Sequence, residues 1–154
     1  MKNELKCAFS GHRIIKVDEN LKKRLVRELE ELINKGVTVF LNGGALGFDL
    51  YCAFIVLELR KKYPIKLKMI LPCKDQAVKW NYDQRLMYDE VLALSDEVVY
   101  ISEKYENGCM QRRNKILVDE CNYLITYLNR TFGGTYSTVE YAKKTGKEII
   151  YMNL

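Results

Sequence analysis

Three short polar turns, each directly behind an apolar run, carry residue types that hold anions. They are Ser10-Gly11-His12-Arg13, Asn42-Gly43-Gly44-Ala45-Leu46-Gly47-Phe48-Asp49 and Asn129-Arg130-Thr131-Phe132-Gly133-Gly134-Thr135. The second and third lead into helical patterns. A strand feeding a glycine-rich turn that opens a helix builds an anion site, because glycine lets the backbone approach the ligand and the helix start presents unpaired N–H groups. Three such turns imply a pocket for a phosphorylated ligand.

The side chains in and near these turns differ in what they can do. His12 is the only histidine; its imidazole can donate to a phosphate or move a proton. Arg13 can clamp a phosphate with two hydrogen bonds. The Gly43-Gly44 segment with Gly47 lacks the Lys-Ser/Thr of a P-loop and the spacing of G-x-G-x-x-G. It reads as a general phosphate loop or as a tight turn that needs small residues. Asp49 can bond a ribose hydroxyl or stabilise the positive end of its own helix. Gly108-Cys109-Met110-Gln111-Arg112-Arg113-Asn114 opens another helix. Adjacent arginines cannot share a helix face, so one of Arg112 and Arg113 faces the crevice and the other faces solvent or an acidic partner. Cys109 at a helix start has a route to a lowered pKa, but no second histidine stands ready as its base. Gly133, Gly134 and Thr135 open the last helix, with Thr135 capping it or holding a phosphate oxygen. Trp80 and Tyr105 can stack on a nucleobase or pack in a core. The ligand-binding set is thus Gly11, His12, Arg13, Gly43, Gly44, Gly47, Asp49, Trp80, Tyr105, Arg112, Arg113, Asn114, Gly133, Gly134 and Thr135. For catalysis His12, Asp49, Arg113 and Glu140 stay open, and no metal set is read.

The elements that must position these residues alternate along the chain. Strands are expected at 5–9, 37–41, 66–71, 97–101, 123–127 and 148–152, with Pro72 stopping the third. Leu21, Leu25, Leu29, Leu32 and Ile33 share one face of a first helix that Asp18 caps and Gly36 ends. Further helices are expected at 46–62, 77–94, 109–119 and 136–145. This is an α/β pattern: a Rossmann-like, doubly wound parallel sheet of six strands with helices on both faces. The expected strand order is 3-2-1-4-5-6, which places the ligand beyond the carboxyl ends of the strands where the order reverses.

The 154 residues suit one domain spanning 1–154. Apolar runs are of strand length and exclude a membrane span, and Met1-Lys2-Asn3-Glu4 leads into the first strand without a signal-peptide core. Five cysteines without a C-x-x-C pair read as reduced thiols of a cytoplasmic protein. The net charge of +5 suits an anionic ligand, while the basic residues are scattered over helix faces rather than gathered in a nucleic-acid patch.

Ser-Gly-His-Arg after the first strand, Gly-Gly-Ala-Leu-Gly-Phe-Asp after the second, the lone Trp80, Gln-Arg-Arg-Asn at 111–114 and Gly-Gly-Thr at 133–135 together resemble the YpsA-like family. That family is part of the SLOG superfamily, with the lonely-guy phosphoribohydrolases and the DNA-processing protein DprA. The resemblance spans almost the whole chain. It implies a pocket for a nucleotide or an ADP-ribose-like ligand, either bound and sensed or turned over, and often a homodimer or higher oligomer. Beyond that ligand it implies no cofactor. Compared with the phosphoribohydrolases, Arg113 fits their arginine, Asn114 stands where their lysine does, and Thr138 stands where their glutamate does. Glu140 lies two positions later, about 200° around the helix. Nucleotide binding is therefore the first expectation, N-glycoside hydrolysis with a non-standard catalytic set the second, and DprA-like binding of single-stranded nucleic acid the third.

Overall fold

Strand-forming and helix-forming runs alternate through residues 4–153, the part of the chain that the computed structural model describes. The readings that touch Met1 to Asn3 lie outside these residues. In chain order the elements are β1 (Leu5–Gly11), α1 (Glu19–Asn34), β2 (Val37–Asn42), α2 (Phe48–Arg60), β3 (Lys66–Cys73), α3 (Tyr82–Leu94), β4 (Glu97–Ser102), α4 (Cys109–Glu120), β5 (Tyr123–Tyr127), α5 (Gly134–Lys144) and β6 (Glu148–Tyr151). The first helix shows how sequence sets the pieces. Asp18 caps α1 by accepting the Leu21 N–H at 2.8 Å, and Leu21, Leu25, Leu29 and Leu32 form its buried stripe. Gly36, with φ of +110°, turns the chain out of the helix into β2.

All strands pair in parallel in the order β4-β3-β2-β1-β5-β6. The doubly wound, Rossmann-like sheet is as expected, and one strand sits elsewhere in it. β4 continues outward past β3 to the edge instead of returning beside β1, so the winding reverses between β1 and β5. Burial explains the choice. β5 carries Leu124, Ile125 and Thr126 fully buried, as a central strand must. Every residue of β4 is at least partly exposed, and Glu97 and Tyr100 face solvent, which suits an edge.

The two faces have separate cores. Leu25, Leu29, Ala53, Val56 and Val91 from α1, α2 and α3 pack on Cys7, Phe9, Phe40 and Leu67. Leu117, Val118, Val139 and Ala142 from α4 and α5 pack on Ala8, Leu41, Ile70 and Leu124. α4 starts at the β4 edge and leads to β5, so it crosses the back of the sheet and brings its own residues to the switch point.

Most boundaries shift by one or two residues from expectation, α5 for one beginning at Gly134 rather than Tyr136 and α2 at Phe48 rather than Leu46, and two differ for clear local reasons. β3 runs through Pro72 to Cys73. Its pairing with β2 ends at Asn42↔Met69, so no ladder bond is asked of the proline on that side. α3 begins at Tyr82 rather than Ala77, because Asn81 and Gln84 form a reciprocal capping box with bonds of 2.8 and 3.1 Å. Residues 74–80 form turns instead. Among the described residues no helix is long and apolar enough to cross a membrane, and no group of His, Cys, Asp and Glu side chains could hold a metal ion.

Candidate functional site

The loops after β1 and β2 lock together at the carboxyl end of the sheet. Asn42 is fully buried. Its amide donates to the Asp49 carbonyl at 2.7 Å, and its Oδ1 accepts the Gly44 N–H at 2.8 Å. Residues 42–49 therefore fold as one compact turn. Gly47, with φ of +86°, lies so close to the His12-Arg13 backbone that a Cβ there would overlap the Arg13 carbonyl. The Phe48 N–H donates to the His12 carbonyl at 3.1 Å. A Cβ on Gly11 would come within 2.5 Å of the Phe48 ring. Packing thus accounts for Gly44 and Gly47, the Gly44 amide being already engaged, while Gly11 both packs on Phe48 and lines the cleft, which Ala45 and Leu46 also reach.

Three buried polar side chains meet above this base. Arg113 comes from the second turn of α4 and is 5% exposed. Its guanidinium donates to the Gly43 carbonyl at 2.5 Å, to the Asn114 Oδ1 at 2.8 Å and to the Gln76 Oε1 at 3.5 Å. Burial lowers its pKa from the ordinary value, opposed by the charge of Asp49; arginine still remains a cation at neutral pH. Asp49, in the first turn of α2, is also 5% exposed. Burial raises its carboxyl to about 7, against the lowering effect of Arg113 and of the Gly11 N–H. His12 accepts the Asn129 N–H at Nε2 (3.1 Å), which leaves its proton on Nδ1. Burial lowers its pKa, and the charge of Arg130 lowers it further, so the ring is neutral at pH 7. Asp49 Oδ1 and His12 Nδ1 are buried with no hydrogen-bond partner. A native structure rarely leaves such atoms unpaired.

Both residues line a cleft of about 290 Å³ between the ends of β1 and β5. Arg13, Trp80, Arg113, Asn114 and Arg130 share its walls, and Gly134 and Thr135 form its far rim. Trp80 is half-buried, with its ring set edge-on to Tyr88 at 5.1 Å. The rim is the start of α5. The Ser137 N–H reaches back to the Gly133 carbonyl at 3.0 Å, so the amides of Gly134, Thr135 and Tyr136 precede the first intrahelical bond. Gly133 supplies no side-chain cap. At α2, by contrast, the amides of Phe48 and Leu50, which also precede the first intrahelical bond, are taken by the carbonyls of His12 and Ala45. Among the described residues neither Arg13 nor Arg130 forms an ion pair.

The remaining sequence candidates lie elsewhere. Arg112 points away from Arg113, as helix geometry requires, and pairs with Glu106 at 2.6 Å on the outer rim. Tyr105 is exposed beyond β4, its N–H bonded to Asp75. Glu140 is exposed and pairs with Lys143 at 3.2 Å, outside the cleft. Thr138 is buried and donates to the Gly134 carbonyl at 2.8 Å. Gly43 lies under the Arg113 side chain, and Gly133 faces the neighbouring groove. Gln76 and Arg130, both on the cleft wall, were absent from the candidate set. Arg130 had a signal, its position in the turn that opens α5. Gln76 had none, since nothing local marks residues 74–80 as folding back under Arg113.

Comparison with known proteins matches this arrangement at two levels. Two solved structures of DNA processing protein A superpose on 96% of the chain. One is from Helicobacter pylori (TM-score 0.68, 21% identity, 64% of that chain), the other from Streptococcus pneumoniae (TM-score 0.68, 18% identity, 50% of that chain). The chain thus spans less than two thirds of their length, and the likeness is one of fold. By sequence, the SPbeta prophage-derived protein YoqJ of Bacillus subtilis (strain 168) is 32% identical over 139 residues, covering 81% of each chain. A UPF0398 protein of Bacillus anthracis (strain A0248) is 32% identical, covering 84% of this chain and 72% of its own. The model of the YspA SLOG family matches residues 10–153. With all the turn motifs of the cleft inside that match, the chain belongs to the YpsA SLOG family.

Proposed function

We propose that this protein binds a nucleotide, with phosphate on the amino end of α5 and the nucleoside directed toward Asp49 and Trp80. The observation that carries this reading is the α5 start: a helix terminus with unclaimed amides, faced by Arg13 and Arg130 without acidic partners, on the same cleft as two orphaned buried polar atoms. Free amides and the helix dipole favour an anion there. Asp49 offers a hydrogen bond to a ribose hydroxyl, and Trp80 offers an aromatic surface. Binding is favoured over N-glycoside hydrolysis because no carboxylate of α5 reaches the cleft: Thr138 is turned onto the helix backbone and Glu140 faces out. Thermal unfolding with AMP, ADP, ADP-ribose and NAD tests it. A ligand at one hundred times its Kd adds about 2.7 kcal/mol of stability, a rise of several degrees that Arg130→Ala should reduce. A flat panel at millimolar concentration would overturn the reading.

The fold likeness to DNA processing protein A, whose Helicobacter pylori structure is described by its single-stranded DNA binding mode, favours a second reading. The same α5 end would then hold the phosphate of a single strand. Such binding would weaken steeply with salt, and no shift of a labelled single-stranded oligonucleotide at low salt would dismiss it.

A further inference from the structure

Three of the five cysteines are core residues. Cys7 and Cys52 pack in the core beneath α1, α2 and α3, and Cys121 in the core beneath α4 and α5. Cys73 and Cys109 are fully buried and belong to neither. They stand at the carboxyl end of the sheet, Cys73 as the last residue of β3 and Cys109 as the first of α4. Their neighbours tie these two elements together. Ser102, the strand partner of Cys73, accepts a hydrogen bond from Arg112 at 3.2 Å, and Gln76 accepts one from Arg113 at 3.5 Å. The Cys73 thiol is within hydrogen-bonding reach of both the Cys109 sulfur and the Asp75 carboxylate.

The segment beside the pair, residues 103–108, leads from Ser102 to Cys109. Polar contacts hold it to the end of β3. The Lys74 N–H donates to the Glu103 carbonyl at 3.2 Å, the Lys74 ammonium pairs with the Glu103 carboxylate at 3.0 Å, and the Tyr105 N–H donates to Asp75 at 2.8 Å. Residues 103–107 are all exposed, and exposed polar ties of this kind open at little cost. With the segment closed, burial and the hydrogen bond to Asp75 push the Cys73 thiol up to about 12, so it keeps its proton.

We infer that Cys73 and Cys109 form a redox pair, which a peroxide closes to a disulfide and a small thiol reopens, and that this bond moves the Gln76–Arg113 wall of the cleft. Cys109, within electrostatic reach of the Arg113 cation, attacks hydrogen peroxide. The O–O bond breaks, hydroxide leaves with the thiol proton as water, and a sulfenic acid remains on Cys109. Cys73 passes its proton to Asp75 and attacks that sulfur. The S–O bond breaks, the second hydroxide takes the proton and leaves as water, and the disulfide is formed. Two thiols are oxidised and one peroxide is reduced. The sulfurs then lie about 2.05 Å apart. The start of α4 is drawn toward β3, and with it Met110, Arg113 and Asn114; the other end pulls on the turn that carries Gln76 and Trp80.

Non-reducing peptide mapping of the full chain, before and after stoichiometric hydrogen peroxide, tests this. The Cys73 and Cys109 peptides should become linked with the loss of two hydrogens. The thiol titre of the unfolded protein should fall from five to three, and dithiothreitol should restore it. Trp80 is the lone tryptophan and stands edge-on to Tyr88, so its emission should shift on oxidation and recover on reduction. In Cys109→Ala no link should form and the emission should stay fixed. A parent that keeps all five thiols, or that links any other two cysteines, would overturn the pair. A mapped Cys73–Cys109 bond with unchanged Trp80 emission would overturn its effect on the cleft. The nucleotide reading stands or falls apart from both results.

Discussion

Replacing Asp49 by asparagine should remove the loss of stability that this carboxyl imposes between pH 4 and pH 8. In the unfolded chain the Asp49 carboxyl loses its proton near the ordinary value of 3.8, and in the folded chain near 7. Between these values the native state holds a proton that the unfolded state has released, so stability falls as pH rises. The full loss is set by the distance between the two values at 1.36 kcal/mol per pH unit, about 4 kcal/mol by pH 8. Asparagine keeps an oxygen to accept the Gly11 N–H and never ionises. Asp49→Asn should therefore match the parent near pH 4 and exceed it by about 4 kcal/mol at pH 8. That corresponds to a difference of about 10 °C in midpoint for a chain of this size. His12 contributes the opposite slope, because its lowered folded pKa makes the native state bind fewer protons than the unfolded chain below pH 6.5. That slope is common to both proteins and cancels in the difference. Urea melts at half-unit pH steps measure it. A difference between variant and parent that stays constant from pH 4 to pH 8 would refute the burial argument for Asp49.

Other substitutions separate packing from binding. Gly47→Ala, at a positive φ against the Arg13 carbonyl, should cost at least about 2 kcal/mol by urea unfolding. Arg113→Ala, which strips the buried Gly43 carbonyl of its donor, should cost about 2–3 kcal/mol and abolish nucleotide binding by titration calorimetry. Arg112→Ala, which breaks an exposed pair with Glu106, should cost less than about 1 kcal/mol and leave the same titration unchanged. Glu140→Gln should also leave nucleotide affinity unaltered; a loss of more than about tenfold would mean that this carboxylate enters the cleft.

The alternation of strands and helices was plain in the sequence because period-2 and period-3.6 apolar patterns are local properties. The place of β4 was not, since no local pattern records the direction of a crossover; only the weaker burial of residues 97–102 marks an edge, and burial is a property of the assembled sheet. The opposite fates of Arg112 and Arg113 followed from the 100° step of a helix, although which of them turns inward did not. The glycine-rich turns were recognisable as turns, while the difference between their contacts was hidden. The Gly43–Gly47 turn is consumed in packing against His12 and Arg13, and the α5 turn keeps its amides free. That distinction lies in contacts between segments far apart in the chain, and so does the burial that makes Asp49 a weak acid.

The winding of the sheet also sets an order of events during synthesis. β1 to β4 and their helices come from residues 5–102, and each of these strands lies beside its predecessor. This half can assemble as it emerges, with α1 to α3 on one side. Its other side, carrying Ala8, Val39, Leu41 and Ile70, stays bare until α4 and α5 arrive. Gly43 waits for Arg113, 70 residues on, and His12 waits for Asn129, 117 residues on. Contacts of such separation form slowly, and an apolar sheet face left open meanwhile invites association. The growing chain therefore passes through a one-sided sheet that needs shielding, and the cleft between His12, Asp49 and Arg113 is completed only at the last step of folding.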